Sequence, residues 1–226
     1  MDTSLFLYNK EGKVIYVLVY VDDILLTGND SDLVKCLVQH LNEKFALKVL
    51  GSLHYFLGFE VIRSVTGLHL NQTKYAQDLL TRAKMVDAKP CTTSFATSSR
   101  LTLDDSPAFD DPSLYRSIVG ALQYLTLSRP DIAFSVNKLS QFLQKPTLTH
   151  WQACKSVLKY IKGTMSFGLQ FISRSMLQLN CFSDADWASS LHDRRSTTGY
   201  CLFLGPNLIQ WSSKKQNVVA LSSTEA

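Results

Sequence analysis

Apolar and polar positions switch between two periods along this chain, and the switches mark its elements. Residues 5–8 and 14–21 are dense in β-branched, aromatic and leucine side chains, with Asn9-Lys10-Glu11-Gly12 between them as a turn signal. That pattern predicts a β-hairpin. A third strand over residues 24–27 follows Asp22-Asp23 and stops at Gly28-Asn29, which puts the two aspartates at the tip of a second hairpin. Asp30-Ser31-Asp32 then offers capping chemistry to a helix in which Leu33, Leu37, Leu41 and Phe45 recur every fourth residue. The spacing predicts a buried stripe, with Lys35, Gln39 and Glu43 off it.

Beyond Gly51, residues 54–62 and 67–70 predict another hairpin, and residues 72–85 an amphipathic helix bearing Tyr75, Leu79 and Leu80. Residues 87–112 lose all periodicity and hold three prolines among many Ser, Thr and Asp, the texture of a long surface linker. Helices are predicted over 113–127 and 131–143, divided by Ser128-Arg129-Pro130, and over 150–162, where Trp151, Cys154, Leu158 and Ile161 share a face. Lys155, Lys159 and Lys162 surround the other face, as on any amphipathic helix. Strand texture returns at 177–182, 199–204 and 208–211, with Gly205-Pro206-Asn207 turning the last pair. Residues 222–226 read as the cap and first turn of a helix. The fold class expected is α+β.

Composition narrows the function. With 226 residues and 46% hydrophobic content the chain has material for a buried core. A net charge of +4 admits a polyanionic partner without supplying the strongly basic footprint of a dedicated nucleic-acid binder. Cys36, Cys91, Cys154, Cys181 and Cys201 lie far apart with no CxxC pair, so they are expected to be reduced, buried small hydrophobes and not a zinc site or disulfide framework. No run of about 18 apolar residues occurs and the N-terminus lacks signal-peptide character, which predicts a soluble, intracellular product with no membrane partner.

Two constellations can carry chemistry. In Tyr20-Val21-Asp22-Asp23, adjacent carboxylates on a hairpin repel each other and invite a divalent cation of the kind phosphoryl transfer uses, although two aspartates at a turn are also ordinary turn chemistry. In Phe182-Ser183-Asp184-Ala185-Asp186-Trp187, acidic residues end a strand that two antiparallel strands follow. Arg194, Arg195, Lys214 and Lys215, with Trp211 near them, suit either a nucleic-acid backbone with a stacked base or a solvated polar face. The five histidines show no metalloprotease spacing, and no phosphate-binding glycine loop is present.

The run Tyr16-Val17-Leu18-Val19-Tyr20-Val21-Asp22-Asp23-Ile24-Leu25-Leu26-Thr27-Gly28 resembles the aspartate hairpin of reverse transcriptases in the form that copia-type retrotransposons carry. Further matches keep the family's order: Phe45-Ala46-Leu47-Lys48-Val49-Leu50-Gly51, Tyr55-Phe56-Leu57-Gly58-Phe59-Glu60-Val61, Leu114-Tyr115-Arg116-Ser117-Ile118-Val119-Gly120, Arg129-Pro130-Asp131-Ile132 and Tyr160-Ile161-Lys162-Gly163-Thr164. From residue 182 onward the order of motifs is similar to the family's ribonuclease H.

The resemblance implies a division into four parts. Residues 1–86 would be the second half of a reverse-transcriptase palm with the start of the thumb, 87–112 a linker, 113–170 a helical thumb and connection, and 171–226 an incomplete ribonuclease H-like sheet. It implies that Asp22 and Asp23 are catalytic, magnesium-binding carboxylates lined by Tyr20 and Val21, and that Asp184 is the first metal-binding aspartate of the hydrolytic site. RNA template, DNA primer, RNA–DNA hybrid and the other polyprotein segments are the implied partners. The family's further palm aspartate is expected before Met1 and its ribonuclease H glutamate just after Ala226, with Glu225 as that residue's neighbour. Both catalytic sets are then incomplete within these residues. Three readings stay open: a piece inactive in isolation, part of a longer active polyprotein, and a non-catalytic nucleic-acid-binding remnant.

Overall fold

In the computed structural model, which describes residues 3–95, 101–173 and 177–225, the chain divides into two units, Met1–Leu53 and His54–Ala226. The first is a meander with one helix. Strands β1 (Thr3–Lys10), β2 (Lys13–Tyr20) and β3 (Asp23–Gly28) pair antiparallel in the order β1-β2-β3. Glu11 and Gly12 turn the first hairpin, both at positive φ (53° and 76°), the sign pattern of the type I′ turn that matches strand twist. Helix α1 (Ser31–Phe45) starts where the sequence offers its cap, the Asp30 carboxylate accepting from the Asp32 and Leu33 amides while its second oxygen takes the Lys13 ammonium at 2.7 Å.

Helix α1 packs on β3. Its stripe is not buried as its spacing predicts: Leu33, Leu37 and Leu41 are half-buried and Phe45 is 66% exposed. A helix lying on one strand of a three-stranded sheet covers too little to shield its own apolar face. Leu5, Phe6 and Leu7 on β1 are likewise exposed, and Ile15 is the one fully buried residue described in this unit.

The second unit holds the main core. Strands β4 (Tyr55–Phe56), β5 (Phe59–Ser64), β6 (Gly67–Asn71) and β7 (Gly168–Ile172) form an antiparallel sheet in that order. The single strand expected over 54–62 is split by a two-residue turn, Leu57-Gly58, with φ of 49° and 78°. Strand β7 was not anticipated; it joins β6 from far along the chain, and the glycines explain how closely. A Cβ on Gly67 would lie 1.8 Å from the Phe171 carbonyl oxygen, and one on Gly168 would lie 2.1 Å from that of Leu70.

Helices α2 (Thr73–Arg82), α3 (Pro112–Leu125), α4 (Ala133–Ser140) and α5 (Leu148–Gly163), with a 3-10 turn at Pro130–Ile132, pack on one another. Their apolar stripes meet in one cluster that includes Leu79, Tyr115, Ile118, Leu122, Leu158 and Ile161, all fully buried. In the described part of 87–112 no residue is fully buried, but the segment is pinned to the helices at several points. Phe109 stacks on Trp151 at 4.9 Å, and Asp105 accepts from the Thr147 hydroxyl at 2.7 Å. An aromatic side chain that finds a partner, and acids that cap a helix, hold down a segment whose composition alone suggests solvent.

Two buried polar groups fasten the helices. Arg129, 2% exposed, donates to both oxygens of Asp131, and to the carbonyl and hydroxyl of Thr164 at 2.8 and 2.7 Å. Burial opposes ionisation of Asp131, but the guanidinium and the Tyr160 hydroxyl hold its carboxyl below the ordinary value. His150, fully buried against Phe142, accepts the Thr147 amide at Nδ1, so Nε2 carries the proton and donates to the Thr102 carbonyl at 2.9 Å. Burial pushes its pKa down against the opposing pull of Asp105.

The last strands, β8 (Leu179–Asp186), β9 (Thr197–Leu204) and β10 (Asn207–Lys215), form an antiparallel sheet in the order β10-β9-β8. The side-chain amide of Asn207 bonds both backbone groups of Ile172 on β7, and α4 packs on β10. Residues 222–225 make turns and no helix, while Ala226 lies outside the described residues. The cysteines depart from expectation: only Cys154 is buried, and Cys36 and Cys181 are exposed, because their positions fall on the outer faces of α1 and of the edge strand β8.

Candidate active site

The second hairpin of the first unit sets the aspartates. Strand β2 ends at Tyr20, which pairs with Asp23, so Val21 and Asp22 are the two central residues of the turn. Val21 has φ of +49° while Asp22 does not have positive φ, the sign pattern of a type II′ turn. A β-branched residue there is strained, by roughly 1–3 kcal/mol, and at 70% exposure it recovers little by packing. Asp22 and Asp23 are exposed, and neither carboxylate makes a hydrogen bond or ion pair with another described residue. Tyr20 is half-buried beneath them.

Two free carboxylates side by side are oxygen donors of the type magnesium takes. They fit one side of such a site; among the described residues no group of three or more His, Cys, Asp or Glu gathers to complete one.

In the second unit, Asp184 on β8 lies opposite Gly199 and Asp186 opposite Thr197. Strand alternation puts Phe182, Asp184 and Asp186 on one face of this edge strand. They line a cavity of about 390 Å3 with Phe134 and Trp211. Lys138 reaches the same region from α4, its ammonium 5.6 Å over the Phe134 ring. Burial lowers the Lys138 pKa and Asp186 opposes that.

The cations proposed from sequence separate into two kinds. Arg195 and Lys215 turn inward to Asp193, at 3.5 and 2.9 Å, and Lys215 also donates to the Ser190 hydroxyl. Burial works against ionisation of Asp193, yet the Ser190 and Lys215 hydrogen bonds hold its carboxyl at about 2. Arg194 and Lys214 are exposed with no ion pair among the described residues. Trp211 is half-buried, its indole N–H donating to the Thr126 carbonyl at 3.2 Å. Sequence reasoning missed Asp193 as the organiser of this group, although its place directly before Arg194-Arg195 was a signal; nothing in the sequence pointed to Lys138.

Comparison with known proteins decides the ancestry. Residues 1–97 match the family model described as reverse transcriptase (RNA-dependent DNA polymerase). The chain is 50% identical over 225 residues to the retrovirus-related Pol polyprotein from transposon RE2 of Arabidopsis thaliana, which covers 100% of this chain and 16% of that protein. It is 37% identical over 226 residues to the Pol polyprotein from transposon TNT 1-94 of Nicotiana tabacum, covering 96% of this chain and 17% of that protein. An uncharacterized mitochondrial protein of Arabidopsis thaliana, AtMg00810, is 47% identical over 211 residues, which are 93% of this chain and 88% of its own length.

The chain belongs to the copia-type retrotransposon Pol family.

As a copia-type Pol sequence it spans about a sixth of the polyproteins it matches. No solved structure matches it. Its mixture of helices and sheets agrees with the α+β class, and among the described residues no helix is long and apolar enough to cross a membrane.

Proposed function

We propose that this copia-type Pol sequence is the second half of an RNA-directed DNA polymerase leading into the first strands of a ribonuclease H, and that it is inactive in isolation. Residues 1–86 are then palm and the start of the thumb, 87–112 the linking ribbon, 113–170 thumb and connection, and 171–226 the start of the hydrolytic domain. Asp22 and Asp23 hold magnesium, with Tyr20 and Val21 against the primer end, and Asp184 belongs to a second, hydrolytic set. Magnesium bound there supplies the charge that activates a primer hydroxyl and stabilises the leaving oxygen. The partners are an RNA template, a DNA primer, the RNA–DNA hybrid and the rest of the polyprotein.

One observation carries this reading: two uncompensated carboxylates presented on a strained two-residue turn. Strain retained at an exposed tip, where relaxation to a turn residue would be easy, supports a role in presenting those oxygens.

The test is magnesium-dependent primer extension on an RNA template, run on this chain and on a longer polyprotein that includes the preceding segment. The chain alone should be silent and the longer protein active, with Asp22→Asn/Asp23→Asn abolishing synthesis. Extension that survives this double substitution would overturn the assignment, and extension by the chain alone would overturn its incompleteness.

A further inference from the structure

The sheet of β8, β9 and β10 presents one face in three rows set by the strand register: Phe182, Cys201 and Trp211, then Asp184, Gly199 and Ser213, then Asp186, Thr197 and Lys215. Gly199 keeps the middle of that floor low, since a Cβ there would meet nothing closer than the Ser212 carbonyl oxygen at 3.5 Å. The cavity of about 390 Å3 over this floor has a wall from outside residues 171–226. Pro130, Ala133 and Phe134, from the 3-10 turn and α4, line it together with Asp184 and Asp186. The carboxylates of β8 thus lie in a groove to which a helix of the preceding segment contributes.

Lys138 is the cation on that wall. It follows Phe134 by one turn of α4, is half-buried, and holds its ammonium 5.6 Å over the Phe134 ring. It makes no hydrogen bond or ion pair with another described residue. A cation–π contact fixes where an ammonium sits without using its N–H groups, so all three donors remain unspent. A half-buried charge left in that state is costly until an anion reaches it. The charges facing it are Asp186, which attracts it, and Lys215, which repels it and is itself held by Asp193. Asp184 and Asp186 drive an incoming anion away from β8 and toward α4, where this ammonium stands. We propose that Lys138 binds a backbone phosphate of the RNA–DNA hybrid in this groove, and that Phe134 positions it. The assignment rests on the reading of Asp184 as a hydrolytic carboxylate and adds to it a contact from outside the hydrolytic segment.

Hybrid binding by the full chain, with magnesium present, tests this by fluorescence anisotropy across a salt series. Lys138→Met keeps the stem beside Phe134 and removes the charge. It should weaken binding roughly tenfold and reduce the slope of log affinity against log salt by about 0.9, the loss of one phosphate contact. Lys138→Arg should restore both, and Phe134→Leu should weaken binding part-way. In the longer polyprotein, Lys138→Met should raise KM for hybrid hydrolysis roughly tenfold with kcat within about twofold, whereas Asp184→Asn should abolish hydrolysis. A salt slope unchanged in Lys138→Met, or not restored by Lys138→Arg, overturns the phosphate contact, because a lysine that merely balances Asp186 would change stability and not the slope. Hydrolysis that survives Asp184→Asn overturns the hydrolytic reading instead, and the salt slope then decides Lys138 by itself.

Discussion

Arg129→Met removes a buried guanidinium while keeping much of its stem. In the native unit that group makes bonds to both Asp131 oxygens and to the carbonyl and hydroxyl of Thr164, so the substitution strands an acid and a carbonyl together. Removing one partner of a buried ion pair costs about 3–5 kcal/mol. Asp131 keeps 32% of its side-chain exposure and still accepts from Tyr160 at 2.9 Å, so water and that hydroxyl recover part of the loss, and about 3 kcal/mol is the working figure. For a unit of this size each kcal/mol moves the melting midpoint by about 2–4 °C, which predicts a fall of about 6–12 °C by calorimetry at pH 7. Arg129→Lys keeps the charge without the planar fork and should fall between the two. The pH dependence has a defined sign. Because the folded Asp131 pKa lies below its ordinary value, the pair's contribution is complete above about pH 4 and is lost as pH falls through the folded value. The gap between wild type and Arg129→Met should therefore close in acid. A midpoint within about 2 °C of wild type, or a gap that stays constant down to pH 3, would refute the reasoning.

Four further outcomes are expected. His150 is held neutral by burial, so stability should be full above about pH 6.5 and fall as pH drops through that region; a slope between pH 7 and 5.5 that persists in His150→Gln would contradict this. Val21→Asn should raise stability by about 1 kcal/mol in urea titration, since asparagine tolerates the left-handed region, and no gain would mean the turn is unstrained. Salt-sensitive binding of an RNA–DNA hybrid should weaken with Arg194→Ala or Lys214→Ala more than with Arg195→Ala, whose charge is already answered by Asp193; equal losses in filter binding would argue against that partition. Exposed Leu5, Phe6, Leu7 and Phe45 should make the purified chain self-associate and bind a hydrophobic dye, whereas a monodisperse, cooperatively melting monomer would show that those faces are harmless.

Local signals in the sequence carried far. The N-terminal hairpins, the Asp30 cap and the Gln72 and Pro112 helix starts lie within two residues of where period and capping chemistry put them, while β8 and β10 run four residues past their predicted ends. The aspartate pair at the tip of β2 and β3 was legible for the same reason, because a two-residue turn between apolar strands leaves few alternatives. What could not be read was set by distant partners. Strand β7 is five residues long and ordinary in composition, and only its pairing with β6 makes it a strand. The ribbon of 87–112 reads as solvent until Trp151 and Thr147 are placed beside it. Helix α1 shows the opposite error, since its spacing describes a face ready for burial and the sheet beneath it is too narrow to supply the cover.

The pairing of β6 with β7 also has a consequence in time. His69 and Ser166, 97 positions apart, share a hydrogen bond beside that ladder. At translation rates of about 5–20 residues per second, the hydrogen-bonding edge of β6 emerges and then waits about 5–20 seconds for its neighbour to be made. Until then it is an open template. A message truncated anywhere before the Gly168 codon yields a product whose sheet can finish only on another molecule, and ribosome pausing across the α3 to α5 codons lengthens the exposure. The order in which this polypeptide is written thus sets how long its four-stranded sheet remains sticky.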